Sequence, residues 1–194
     1  VSAFVTASQE PSVGQRRTTS RQPRQKISKT PLTDRWYGIT SPDGDYAAEF
    51  PSEPNYRKTG PDERGQIYHD YQYYDRKCKC NFQIMSYKLN LSPEQQARFD
   101  EGEQSKGSER LALQSSLKQG WRLLSMKELP GNGYQHLFMV PGDGISKPTV
   151  YVRDMLFNRG FYVYSIIFTG ATRESLFGPE ARRFFNSFKF TRRK

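Results

Sequence analysis

Two runs of alternating character, residues 149–157 and 161–169, flank Asn158-Arg159-Gly160, and no other feature constrains the fold as much. Apolar and polar side chains that alternate with a period of two belong to a strand with one buried face. Asn and Gly between two such runs mark a tight reversal, so the stretch predicts an antiparallel hairpin. The pattern recurs three more times. Residues 36–40 and 46–50 flank Ser41-Pro42-Asp43-Gly44, where Pro presets φ and Gly accepts the left-handed region. Residues 66–74 and 79–89 flank the polar Asp75-Arg76-Lys77, and residues 121–129 and 134–140 flank Gly131-Asn132-Gly133. The first of these hairpins, opening at Trp36, is expected to start the sheet.

Two helical regions interrupt the hairpins. Ser92-Pro93-Glu94-Gln95 has Ser at the N-cap, Pro at the first helical position and Gln where a capping box needs it. That helix is expected to run through Phe99 and break near Gly102, with a second piece at 108–119 carrying Leu111, Leu113 and Leu117. Near the C-terminus Ala181, Phe184, Phe185 and Phe188 form a one-sided apolar stripe, started by Thr172 or Ser175. The order is two hairpins, helix, two hairpins, helix. It predicts an α+β fold, a mainly antiparallel sheet with helices packed on it. Only 35% of residues are hydrophobic, but 12 Tyr and 13 Phe allow a core built largely from rings.

Residues 1–34 differ from the rest. They are rich in Ser, Thr, Gln, Pro and Arg, and apolar residues are sparse after Val13. Such a segment buries too little apolar surface to offset its ordering entropy, so it is expected to be an extended arm. Its basic residues are Arg16, Arg17, Arg21, Arg24, Lys26 and Lys29. A short basic tail, residues 191–194, includes Arg192 and Arg193. The domains expected are therefore the arm at 1–34, an α+β domain at 35–190 and the tail. The formal net charge of +10 calls for an acidic partner, whether protein, nucleic acid or membrane surface. No apolar run reaches the roughly 18 residues that span a bilayer. Val1-Ser2-Ala3 and Val5-Thr6-Ala7 have the small-x-Ala form of a signal-peptidase site, which fits the remnant of an export signal and equally a trimmed or arbitrary start.

Candidate chemistry is thin. Cys78 and Cys80, placed on a strand, would face the same side and could approach one metal ion. Zinc requires four ligands, however, and His69 and His136 are the only histidines, so Cys78 and Cys80 are weak metal candidates. No Gly-x-Ser-x-Gly or comparable nucleophile motif is present. Asp43, Asp45 and Glu49 read as turn chemistry. Tyr68, Tyr71, Tyr73 and Tyr74 near Arg76, Lys77 and Lys79 could stack nucleic-acid bases, but no accompanying motif supports it. Neither catalytic residues nor a cofactor is expected.

The two ends of the domain carry a resemblance. "W…SPDGDYAAEFP…P" near the start and "RRFFNSFKF" near the end resemble bacterial exported proteins of the PsbP-like fold superfamily, over about residues 35–190. The resemblance implies a non-enzymatic accessory subunit, extracytoplasmic or periplasmic. It would dock peripherally on a larger membrane-bound complex, photosynthetic or electron-transfer in kind. The arm would lie along acidic or polar partner surfaces, its Arg forks pairing with carboxylates. Two other readings stand beside it: an RNA- or ribosome-associated basic protein whose arm binds phosphates, and an exported domain that binds a small ligand.

Overall fold

The computed structural model describes residues 36–63 and 65–191. Five strands come first: β1 (Tyr37–Thr40), β2 (Tyr46–Phe50), β3 (Asn55–Thr59), β4 (Tyr68–Asp75) and β5 (Cys80–Lys88). Helices α1 (Pro93–Ala97) and α2 (Glu101–Lys118) follow. Then come β6 (Arg122–Leu129), β7 (Gly133–Val140), β8 (Val150–Arg159) and β9 (Tyr162–Gly170). A 3-10 turn over Glu174–Phe177 leads into α3 (Pro179–Ser187) and the short β10 (Lys189–Phe190).

Seven strands form one antiparallel sheet in the order β3-β4-β5-β9-β8-β7-β6. The β8–β9 hairpin pairs Arg159 with Tyr162, so the reversal is Gly160-Phe161. Gly160 has φ +54°, which suits the first central position of a two-residue turn whose twist matches the strands. Asn158, expected in the turn, is instead a buried strand residue whose side chain accepts a hydrogen bond from Ser108 Oγ at 3.1 Å. The fold is thus mostly antiparallel sheet with helices, of the α+β class.

The hairpin expected to start this sheet does not join it. β1 and β2 form a separate three-stranded sheet, order β1-β2-β10, in which β10 pairs with β2 across Lys189↔Ala47 and Phe190↔Tyr46. Its inward residues Ile39, Tyr46, Ala48 and Phe50 pack with α3 against one face of the large sheet, on Phe82, Ile84, Ile166 and Phe168. This is the main core. Phe82 stands edge-on to Phe168 at 5.0 Å and to Phe184 at 5.3 Å, the T-shaped geometry that ring quadrupoles favour.

Helix α2 covers the opposite face. Its buried residues are Ser105, Ser108 and Ser116, while Leu111 and Leu117 are about half exposed. The leucines therefore do not form its packing stripe. The sheet beneath presents polar groups, and short hydroxyls both approach closely and bond to them. Ser105 Oγ donates to the Asn132 carbonyl at 2.6 Å, alongside the Ser108 bond to Asn158.

The helix boundaries also move. The capping box at Ser92 forms as expected: Ser92 Oγ accepts from Gln95 N at 3.2 Å and Gln95 Oε1 accepts from Ser92 N at 2.8 Å. The break then falls before Asp100 rather than at Gly102, because Asp100 caps α2 by accepting from Glu103 N at 3.0 Å. Helix α3 starts at Gly178-Pro179, since Thr172 and Ser175 hydrogen-bond each other ahead of it. β3 has no alternating pattern to announce it. It is an edge strand exposed along its length, where Arg57 and Lys58 discourage pairing with other chains.

Candidate functional site

The basic residues expected to bind a partner, Arg16, Arg17, Arg21, Arg24, Lys26, Lys29, Arg192 and Arg193, lie outside the described residues. The points where the described chain meets both segments are well defined. Trp36 precedes β1 and Thr191 follows β10, so both segments join the small sheet. Tyr37 pairs with Phe50 and Phe190 with Tyr46, which puts the two junctions at opposite ends of β2, roughly 14 Å apart along it. Trp36 is wedged edge-on against Phe82, and the Arg183 guanidinium lies 4.7 Å from its ring centre. Arg183 Nε also donates to Glu49 Oε2 at 3.2 Å. At the other junction, Thr191 N donates to the Asp45 carbonyl at 2.9 Å and Thr191 Oγ1 to the Gly44 carbonyl.

The premise for a metal at Cys78 and Cys80 does not hold. Only Cys80 is on β5; Cys78 lies in the preceding turn, with Lys79 at φ +51° between them. The ladder pairs Asp75 with Cys80 but His69 with Ser86, six residues further along, so His69 is roughly 20 Å away. No group of three or more His, Cys, Asp or Glu among the described residues is arranged to hold a metal ion. Burial, with Cys78 beside it, pushes the Cys80 thiol well up, away from the reactive thiolate. Iodoacetamide at about pH 8 is therefore expected to label the half-buried Cys78 and spare Cys80 in the folded protein. Fragmentation mass spectrometry reads this directly, and equal labelling of both would contradict the buried, protonated Cys80.

A second constellation resembles hydrolytic chemistry by composition alone. Under α2, Ser165 Oγ donates to Asp154 Oδ1 at 2.7 Å. Asp154 Oδ2 is 3.9 Å from His136 Nδ1, and His136 Nε2 is 3.3 Å from Glu109 Oε1. The carboxylate stands between hydroxyl and imidazole, so the imidazole cannot take the hydroxyl proton. Catalysis of the Ser-His-Asp kind needs the opposite order.

A concave site lies where the turn between β1 and β2 meets the ends of β3, β4, β5 and β9. It is an open cleft of about 330 Å³. One wall is the small-sheet turn, with Asp43 and Asp45; the other is the large sheet, with Lys58 and Lys88. Ser41 Oγ fixes the turn by accepting from Asp45 N at 2.8 Å and Tyr46 N at 3.2 Å. On the large sheet, His69 Nδ1 and the Tyr56 hydroxyl share a 2.7 Å hydrogen bond. Burial, aided by Lys58 and opposed by Asp43, holds the His69 imidazole below its usual value, so it is neutral near pH 7. At the floor, Tyr164 OH donates to Asp45 Oδ2 over 3.5 Å, a weak bond. Burial also pushes the phenols of Tyr46 and Tyr164 far up, and they remain hydrogen-bond donors. Five chain segments meet here with no fixed spacing, so sequence reasoning missed the cleft. The one signal available is the alternation of Tyr46, Ala48 and Phe50, which places a phenol on the buried face of β2.

No protein-family profile and no curated protein matches the chain. Among solved structures it is similar to a crystal structure from Bacteroides thetaiotaomicron VPI-5482, at 17% identity and a TM-score of 0.47. The match covers 80% of this chain and 48% of the other, so the chain spans about half the length of that structure.

Proposed function

We propose that this chain is a non-catalytic accessory subunit with a PsbP-like domain. It docks from the extracytoplasmic side on acidic or polar surfaces of a larger membrane-bound assembly. The carrying observation is where the charge sits. Residues 1–35 and 192–194 hold ten of the 30 basic residues and, in Glu10 and Asp34, two of the 20 acidic ones. These ends therefore supply eight of the ten net positive charges, and the remainder of the chain is close to neutral. Both basic ends join the same three-stranded sheet, which gives a partner one face to engage. Among the described residues no helix is long and apolar enough to cross a membrane.

The test is a pull-down through the full chain and through a variant lacking residues 1–34, from native membranes of the source organism. Exposed ion pairs are screened beyond a Debye length, so docking by the arm should fall sharply between about 0.05 M and 0.5 M salt. The truncated protein should lose the complex while its circular dichroism and melting stay those of the intact domain. Unchanged recovery of the complex without the arm would refute the reading. Recovery of RNA or ribosomal proteins instead, with a steep salt slope on generic RNA, would establish the phosphate-binding alternative.

A further inference from the structure

The cleft stands apart from the two ends through which docking is proposed. Its charges are set in a pattern that nothing within the described residues completes. Asp43 and Asp45 stand on the small-sheet wall and Lys58 and Lys88 on the large-sheet wall. Opposite charges that face each other across a cleft normally pair. Here the ion pairs among the described residues are Lys106–Glu103, His136 with Glu109 and Asp154, and Arg183–Glu49, all elsewhere. Asp45 is 8% exposed and receives only the long bond from Tyr164. A carboxylate on a mostly buried residue with so little protein bonding to it has acceptor capacity left for a cation that enters the cleft.

Tyr46 is the second, independent observation. It is fully buried at the cleft floor, and its hydroxyl lies by the Ser86 side chain in a contact that falls short of full hydrogen-bond geometry. Buried hydroxyls nearly always have a full hydrogen-bond partner, so one with only this contact has capacity left for a group that settles into the cleft. The remaining walls are apolar or aromatic, with Ile67, Leu89 and Tyr162, and Lys88 Nζ lies 6.0 Å from the Tyr162 ring centre. A volume of 330 Å³ is at the small end of ligand pockets.

We propose that this cleft binds a small zwitterion of amino-acid size. Its ammonium lies against Asp45 and Asp43, its carboxylate against Lys58 and Lys88, and its side chain along Ile67, Leu89 and Tyr162. The Tyr46 hydroxyl bonds to the ligand's polar end. A ligand with one charge satisfies only one wall, and an uncharged sugar satisfies neither as well.

The experiment uses the full chain. Thermal-shift measurement with each of the twenty free amino acids at about 10 mM identifies binders, since any ligand of the native state raises its melting temperature. Titration calorimetry then compares the best binder with its N-acetyl and C-amide forms. Each cap removes one charge contact and should weaken binding about tenfold or more. Lys88→Gln and Asp43→Asn, both at exposed positions, should each weaken it comparably with unchanged melting of the free protein. Tyr46→Phe should weaken binding and change the melting temperature of the free protein little, since the hydroxyl's contact with Ser86 falls short of a full hydrogen bond. Absence of any shift at that concentration overturns the proposal. So does equal binding of the capped forms, or tighter binding of a neutral monosaccharide.

Discussion

Phe184→Ala is expected to cost about 4 kcal/mol and to lower the melting temperature by about 10 °C, read by urea and thermal unfolding. Phe184 is fully buried and is the point at which three elements meet. Its ring lies 5.2 Å from Phe50 of the small sheet, 5.3 Å from Phe82 of the large sheet and 5.6 Å from Phe185 on its own helix. Truncation leaves a ring-sized void bounded by other rings on two sheets, and neither sheet can move in to close it. Domains of this kind have only about 5–15 kcal/mol of stability, so one side chain accounts for a large share. Arg182→Ala, one turn-position away on the exposed side of α3, is the control and should change the midpoint little. A small effect at Phe184 would mean that α3 and the small sheet can part from the large sheet without unfolding it.

The second large effect concerns His136, which is 1% exposed between Glu109 of α2 and Asp154 of β8. Burial pulls its pKa down, but Asp154 and Glu109 together outweigh burial and hold it above the usual 6.5. The folded state therefore keeps a proton that the unfolded chain releases. Its contribution is fully present below the unfolded pKa and is lost as pH rises through the raised one. His69 has the opposite shift, and what it contributes is lost as pH falls. The clean measurement is thus the difference between wild type and His136→Ala across pH. At about pH 6 the variant should lose about 3 kcal/mol, because it leaves two carboxylates facing each other without the cation between them. The loss should shrink steadily toward alkaline pH. A difference that does not vary with pH would mean the imidazole is neutral throughout.

How legible this molecule is from its residues depends on which interactions define each part. The strands of the large sheet are written locally, by alternation and turn chemistry, and six of its seven are read from sequence. β3 is not, because a strand exposed on both faces has no alternation to show. β10 is two residues long, and only its pairing with Ala47 and Tyr46 makes it a strand. That same pairing explains why the first hairpin looked like the start of the main sheet: its true third strand comes from the far end of the chain. Helix α2 misled for a chemical reason. Its leucines suggested a packing face, yet the sheet beneath offers Asn158, His136 and Asp154, and serines fit that floor. The cleft was hidden because Asp45, Lys58, His69 and Lys88 share no spacing and are gathered only by the two-sheet arrangement.

The small sheet also fixes how the molecule bears tension. β1 and β10 flank β2 and run the same way, and the basic segments join at opposite ends: one ahead of Trp36, the other beyond Thr191. A pull applied through both segments draws β1 one way and β10 the other along their own axes. Hydrogen bonds between strands lie across those axes, so both seams are loaded in shear and their bonds share the force. The seven-stranded sheet lies off this line of force. A tether attached at both ends would therefore strain a clamp of three short strands and leave the seven-stranded sheet unloaded.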